Sequence, residues 1–183
     1  SATTNGRKVT ILLELLKIPY VFRKIADFRK DTKEPWYLEL NPLGKVPVIS
    51  DVDTQGKVFN LTESGALLQY IAHKYDTEHK VSYPVDSDLH GREVEFLFLH
   101  ASGLGPAQTK YNQTKTDEAK AGAIAAYKVV NDELKRNSTG YIVGDHVSLA
   151  DVIALAHADQ FLKNIDEESV KDLTEVKKWY ENL

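Results

Sequence analysis

The 183-residue sequence predicts a small α/β domain followed by an all-helical domain. Three observations carry this expectation. Strand-like runs bounded by turn residues occur only in the first part of the chain. A polar connector containing Pro84 follows Tyr75. Every apolar pattern beyond that connector repeats at helical spacing. The boundaries are accordingly placed at 1–76 for the first domain, 77–87 for the linker and 88–183 for the helical domain.

The elements follow in order. Val9, Leu12, Leu13 and Leu16 recur at i, i+3, i+4 and i+7, which predicts an amphipathic helix over residues 7–17, with Asn5-Gly6 as cap and entry. Pro19 ends it, and residues 20–25 alternate as a strand does. A helix feeding a strand needs a parallel partner strand before it, so that strand is expected upstream of Ser1. The absence of Met also fits a cut or processed chain. Residues 27–42 are polar and irregular, with a short helix around 35–40. Two β-rich runs, 45–50 and 57–60, flank an Asp/Gly-rich turn and predict a hairpin. Leu68, Ile71, Ala72 and Tyr75 mark a helix starting near Ser64. In the second part Val94, Leu97, Phe98 and Ala101 form one apolar stripe. Ala123, Ala126, Tyr127, Val130 and Leu134 form the next, Leu149, Val152, Ile153 and Ala156 a third, and a short helix closes the chain near Trp179.

Composition excludes several functions. No apolar run reaches the ~20 residues a membrane span needs. A net charge of -4 with dispersed Lys and Arg argues against nucleic acid or an anionic membrane as partner. The chain has no Cys, which rules out a disulfide framework, a thiolate metal site and redox chemistry through protein thiols, and fits a reducing compartment. The six His show no ligand spacing, so no metal is expected.

Three short stretches carry candidate chemistry. In Lys45-Val46-Pro47 a Pro opens a strand, where it removes no ladder bond. Its peptide bond is either an ordinary trans bond or a cis bond that turns the Val46 backbone toward an extended peptide ligand. In Thr62-Glu63-Ser64-Gly65 a helix N-terminus begins. It is either simply capped or offers free amides and a positive dipole end to a carboxylate, with Glu63 beside it for an ammonium group. In Thr3-Thr4-Asn5-Gly6, Asn5 caps the first helix and Thr3 ends a strand, or both present neutral donors suited to stabilising a ligand thiolate. Elsewhere, Ser148 and Asp151 have the spacing of a capping box and are read as structural. Gly103, Gly105, Pro106, Gln108, Tyr111 and Asn112 interrupt a long helix.

In this order the stretches TTNGRKVTILLELLKIPY, LELNPLGKVPVI, LTESGALLQYIAHKYD and YIVGDHVSLADVIALA resemble the cytosolic glutathione transferases along nearly the whole chain. The likeness is greatest to the bacterial nu class and to fungal enzymes similar to the yeast nitrogen-regulating prion protein. The resemblance implies a thioredoxin-like first domain with cis Pro47, lacking its first strand here, and a helical second domain. It implies that Val46 pairs with the cysteinyl part of glutathione and that Glu63 and Ser64 hold its γ-glutamyl end. Lys45 lies by the glycyl end, and Asn5 and Thr3 face the sulfur as catalytic residues. Thr4 replaces the Pro of the family's T-P-N-G motif, and Thr32 stands where relatives often carry a His or Gln contact. The interrupted helix at 103–112 is expected to border the pocket for the second substrate.

The function expected from this resemblance is glutathione transfer to an electrophile, with peroxide or disulfide reduction as related activities. Glutathione serves as co-substrate, and the protein is expected to be a cytoplasmic homodimer. The rival is a non-catalytic module of the same fold with a regulatory or translation-associated role.

Overall fold

A computed structural model describes residues 3–183. The first helix, α1 (Thr4–Leu15), starts where Thr3 stays extended and its hydroxyl accepts the Gly6 N–H at 3.1 Å. Thr3 therefore caps this helix, and Asn5, expected as the cap, is its second residue. Two one-turn helices follow, α2 (Phe28–Asp31) and α3 (Pro35–Leu38). β1 (Val48–Val52) and β2 (Val58–Thr62) form the expected antiparallel hairpin, with Val48 opposite Thr62 and Val52 opposite Val58. α4 (Ser64–Tyr75) completes the first part.

The strand expected at residues 20–25 does not form. Among the described residues the sheet has only β1 and β2. A run with strand composition becomes a strand only when a neighbouring backbone satisfies its N–H and C=O groups. Neither β1 nor β2 lies alongside, and Val21 stays 96% exposed. The partner strand expected before Ser1 lies outside the described residues.

The second part is helical throughout: α5 (Asp88–Leu99), a π-helical turn (His100–Leu104), α6 (Gly105–Thr114), α7 (Asp117–Asn137), α8 (Leu149–Asn164), a 3-10 turn (Glu168–Val170) and α9 (Thr174–Asn182). Of the interruption expected over 103–112, only Gly103 and Leu104 lie in the π-helical turn, and the rest is the regular helix α6. The stripes of α7 and α8 face inward as expected, with Tyr127 stacked on Phe161. On α5 the buried face is Glu93, Phe96 and Leu97, and His100 continues it, whereas Phe98 is 67% exposed and Ala101 is exposed too. Counting apolar residues missed this face because two of its members are polar and are held by partners inside the fold.

One continuous core joins both parts. α8 runs through its middle and packs against α1, α4 and α5. Its N-terminus is fixed by the Ser148–Asp151 capping box, as the spacing predicted. The buried Asp151 carboxylate also accepts the Ile142 N–H and the Trp179 indole N–H, tying loop, helix start and α9 together.

Candidate functional site

The loop before β1 is held from behind. Gly44 has φ +59, and a Cβ there would stand 2.6 Å from the Thr32 carbonyl oxygen, so glycine is required on both counts. The Lys45 carbonyl accepts the Tyr37 hydroxyl at 2.7 Å and the Asn41 amide at 2.6 Å. The Val46-Pro47 bond that follows is cis. The Val46 N–H and C=O have no hydrogen-bond partner among the described residues. The Lys45 side chain is exposed.

The hairpin register then brings the second stretch alongside. Because Val48 pairs with Thr62, Pro47 sits beside Glu63. Glu63 adopts φ 67 and ψ 113, a sparsely populated conformation for a residue with a side chain. That kink turns the chain from β2 into α4 and leaves the carboxylate exposed. Ser64 is the first helical residue, and no side chain caps the helix. The Ser64, Gly65 and Ala66 N–H groups therefore lack acceptors among the described residues, at the positive end of a twelve-residue helix.

The third stretch is brought in through α8. The start of α4 meets that helix at Ile153, 4.0 Å from where a Gly65 Cβ would stand. The start of α1 meets it at Asp159, whose carboxylate accepts the Arg7 guanidinium at 2.5 Å. Ile153 and Asp159 are about 9 Å apart at 1.5 Å rise per residue. The first turns of α1 and α4 thus lie near each other on one helix. Thr3 and Asn5 are both exposed there. The Thr3 hydroxyl spends a lone pair on the Gly6 N–H and keeps its proton to donate. The Asn5 carbonyl oxygen accepts the Lys8 ammonium at 2.8 Å, and its NH2 has no partner among the described residues.

The group beneath Asn5 was not anticipated from the sequence. Lys8 is 1% exposed, and burial lowers its pKa to about 7. His100 Nδ1 lies 3.5 Å from the ammonium, and the His157 ring stands edge-on to His100 at 4.6 Å. Burial pushes both imidazoles down, His157 to about 3 and His100 further, so both are neutral. The i, i+3 spacing of Asn5 and Lys8 was the available signal.

Thr32, which stands where relatives often carry a His or Gln contact, is buried and its hydroxyl donates to the Phe28 carbonyl, so it presents nothing outward. Gln108 and Tyr111, expected at the edge of a substrate pocket, are core residues. Gln108 bonds the His157 carbonyl and the Tyr127 hydroxyl, and Tyr111 packs edge-on to Phe161. Asn112 bonds Gln160.

The assembled surface offers an unpaired strand-like backbone, a helix N-terminus for a carboxylate, a carboxylate for an ammonium group, and neutral donors for an anion. Comparison with known proteins identifies the family. The family model for the glutathione S-transferase N-terminal domain matches residues 4–74, and that for the C-terminal domain matches residues 88–183. The glutathione S-transferase-like protein gedE of Aspergillus terreus is 41% identical over 102 residues, 56% of this chain and 43% of that protein. Glutathione S-transferase 1 of Schizosaccharomyces pombe is 32% identical over 158 residues, covering 81% of this chain and 67% of that protein. A crystal structure of a glutathione transferase homolog from Lodderomyces elongisporus, with two GSH per subunit, superposes with a TM-score of 0.88 at 32% identity, covering 100% of this chain and 89% of that one. The fold is that of these proteins, a thioredoxin-like domain with a reduced sheet followed by a helical domain, and the chain belongs to the glutathione S-transferase family.

Proposed function

We propose that this chain binds glutathione and uses its thiolate as a nucleophile. The Val46 backbone pairs with the cysteinyl unit, Glu63 meets the γ-glutamyl ammonium, and Ser64 with the first amides of α4 takes the α-carboxylate. Lys45 lies toward the glycyl carboxylate. Asn5 and Thr3 donate to the sulfur. The observation that supports this reading is the hairpin register, which sets the unpaired Val46 backbone beside Glu63 and the uncapped start of α4.

The chemistry asked of Asn5 and Thr3 is modest. A free thiol with pKa ~8.5 is only a few per cent ionised at neutral pH. A charge-assisted hydrogen bond contributes ~1.5–3 kcal/mol, which lowers a thiol pKa by ~1–2 units at ~1.4 kcal/mol per unit. The thiol proton leaves to water, and the sulfur electron pair forms the new bond to an electrophilic carbon as a leaving group departs with its bonding pair or, in a conjugate addition, as the π pair shifts onto the acceptor and is protonated by water. Hydroperoxides, whose O–O bond breaks to release an alcohol, and disulfides, whose S–S bond breaks to release a thiolate, are alternative acceptors of the same electron pair.

In this reading residues 1–76 form the glutathione domain, 77–87 the linker and 88–183 the helical domain of a cytoplasmic homodimer. The test is retention on immobilised glutathione together with turnover of an electrophile, a hydroperoxide and a disulfide. Retention lost in Glu63→Ala and Ser64→Ala, with turnover of at least one substrate, is expected. Retention without any turnover would leave a binding module, and no retention at all would refute the site.

A further inference from the structure

Lys8 is a lysine in the wrong place for a structural role alone. Its side chain is buried, yet among the described residues no carboxylate pairs with it. A buried cation without a counter-ion is costly, and here its contacts are two neutral acceptors, the Asn5 carbonyl oxygen at 2.8 Å and His100 Nδ1 at 3.5 Å. The titratable groups facing it are His100 from the π-helical turn and His157 from α8. Both are held neutral by burial and by the lysine itself. The neighbouring Arg7 is turned away onto Asp159.

An ammonium group has three donors and no acceptor. The atom that Asn5 presents to it must therefore be oxygen, which turns the NH2 group outward as a donor. A neutral amine, or an apolar side chain, removes that constraint and lets the amide rotate. The positive charge also polarises the amide, making its outer N–H a stronger donor.

We propose that Lys8 is the positioning residue for Asn5, fixing the amide so that its NH2 faces the ligand sulfur and strengthening that donor. This rests on the reading of Asn5 as the sulfur contact. The burial that brings Lys8 to about 7 makes the device sensitive to whatever sits on Asn5. An anionic sulfur on the outer side favours the ammonium, and the ammonium favours the anionic sulfur.

The test titrates the ultraviolet absorbance of bound glutathione thiolate in the full chain, in wild type and in Asn5→Ala, Lys8→Met and Lys8→Gln, alongside kcat/KM with one electrophile. Lys8→Met removes a buried charge with little change of volume and is expected to fold. It should raise the thiol pKa by about one unit and lower the thiolate fraction at neutral pH by about fivefold, with KM for glutathione little changed. Lys8→Gln restores a donor to the Asn5 oxygen without the charge, so it should recover part of that loss; it also carries the test if the Met variant does not fold. If Asn5→Ala raises the thiol pKa and neither Lys8 variant does, the lysine is only a strut and the proposal is overturned. If Asn5→Ala leaves the thiol pKa unchanged, the reading of Asn5 falls and takes this one with it.

Discussion

Asp151→Ala should be among the most damaging single substitutions in this protein. The carboxylate is fully buried and accepts four hydrogen bonds. Oδ2 takes the Ser148 N–H at 2.9 Å and the Ser148 hydroxyl at 3.0 Å, and Oδ1 takes the Ile142 N–H at 3.0 Å and the Trp179 indole N–H at 2.7 Å. Truncation strands two backbone N–H groups and an indole N–H in a dry interior, while the Ser148 hydroxyl can rotate to another acceptor. Each stranded donor costs ~1–3 kcal/mol. Partial relaxation brings the sum to about 5 kcal/mol, comparable with the whole stability of many domains. Asp151→Asn keeps one accepting oxygen but sets an NH2 against donors, so about half that loss is expected. Urea unfolding followed by far-ultraviolet circular dichroism and tryptophan fluorescence measures both, with an unchanged dependence on denaturant as the check of two-state behaviour. Because α8 carries the starts of α1 and α4, glutathione retention should fall with stability. A loss below about 1.5 kcal/mol for Asp151→Ala would refute the reasoning, since it would mean that water or a rearranged loop satisfies these donors.

Three further outcomes are expected. Glu93 is buried and its carboxyl is pushed up to about 7, chiefly by that burial, while Oε1 accepts the Leu149 N–H at 2.9 Å. A folded pKa above the unfolded value means stability that is present below about 4.5 and lost as pH rises through about 7, about 3 kcal/mol in all. Glu93→Gln keeps the acceptor and removes the ionisation, so unfolding at pH about 5 and about 8 should show the variant's advantage growing with pH. Gly44→Ala should cost about 2–4 kcal/mol, from the positive φ and the collision with the Thr32 carbonyl, and should weaken glutathione retention by displacing Lys45–Pro47. Thermal unfolding and a binding isotherm check both parts. Asp159 accepts Arg7, the Tyr180 hydroxyl and Lys163, and these partners hold its carboxyl well below the usual range. Its contribution is present above the unfolded pKa and lost as pH falls, so Asp159→Asn should cost about 1 kcal/mol at neutral pH and progressively less in acid.

Local chemistry explains what could be read in advance. The helices over residues 4–15, 64–75, 117–137 and 149–164 declare themselves by apolar spacing and helix-start residues. The hairpin declares itself by its turn, and the Ser148–Asp151 box by a three-residue spacing. The strand start after Pro47 and the helix start at Ser64 were also legible, because a Pro at a strand start and a polar helix start are short-range signals, whereas spacing left the cis Val46-Pro47 bond open. The cap of α1 is Thr3 and not Asn5, a difference of two residues that short-range signals do not resolve.

Sequence alone therefore determined the order of the helices, the hairpin, and the strand start after Pro47 and helix start at Ser64, since each depends on neighbours within a few positions. Only the tertiary structure decided which face of α5 is buried, why residues 20–25 form no strand, and that Lys8 lies under Asn5 against His100. Burial of a side chain and pairing of a strand both require a surface supplied by distant parts of the chain. That surface is α8 for the starts of α1 and α4, and a neighbouring backbone ladder for a strand.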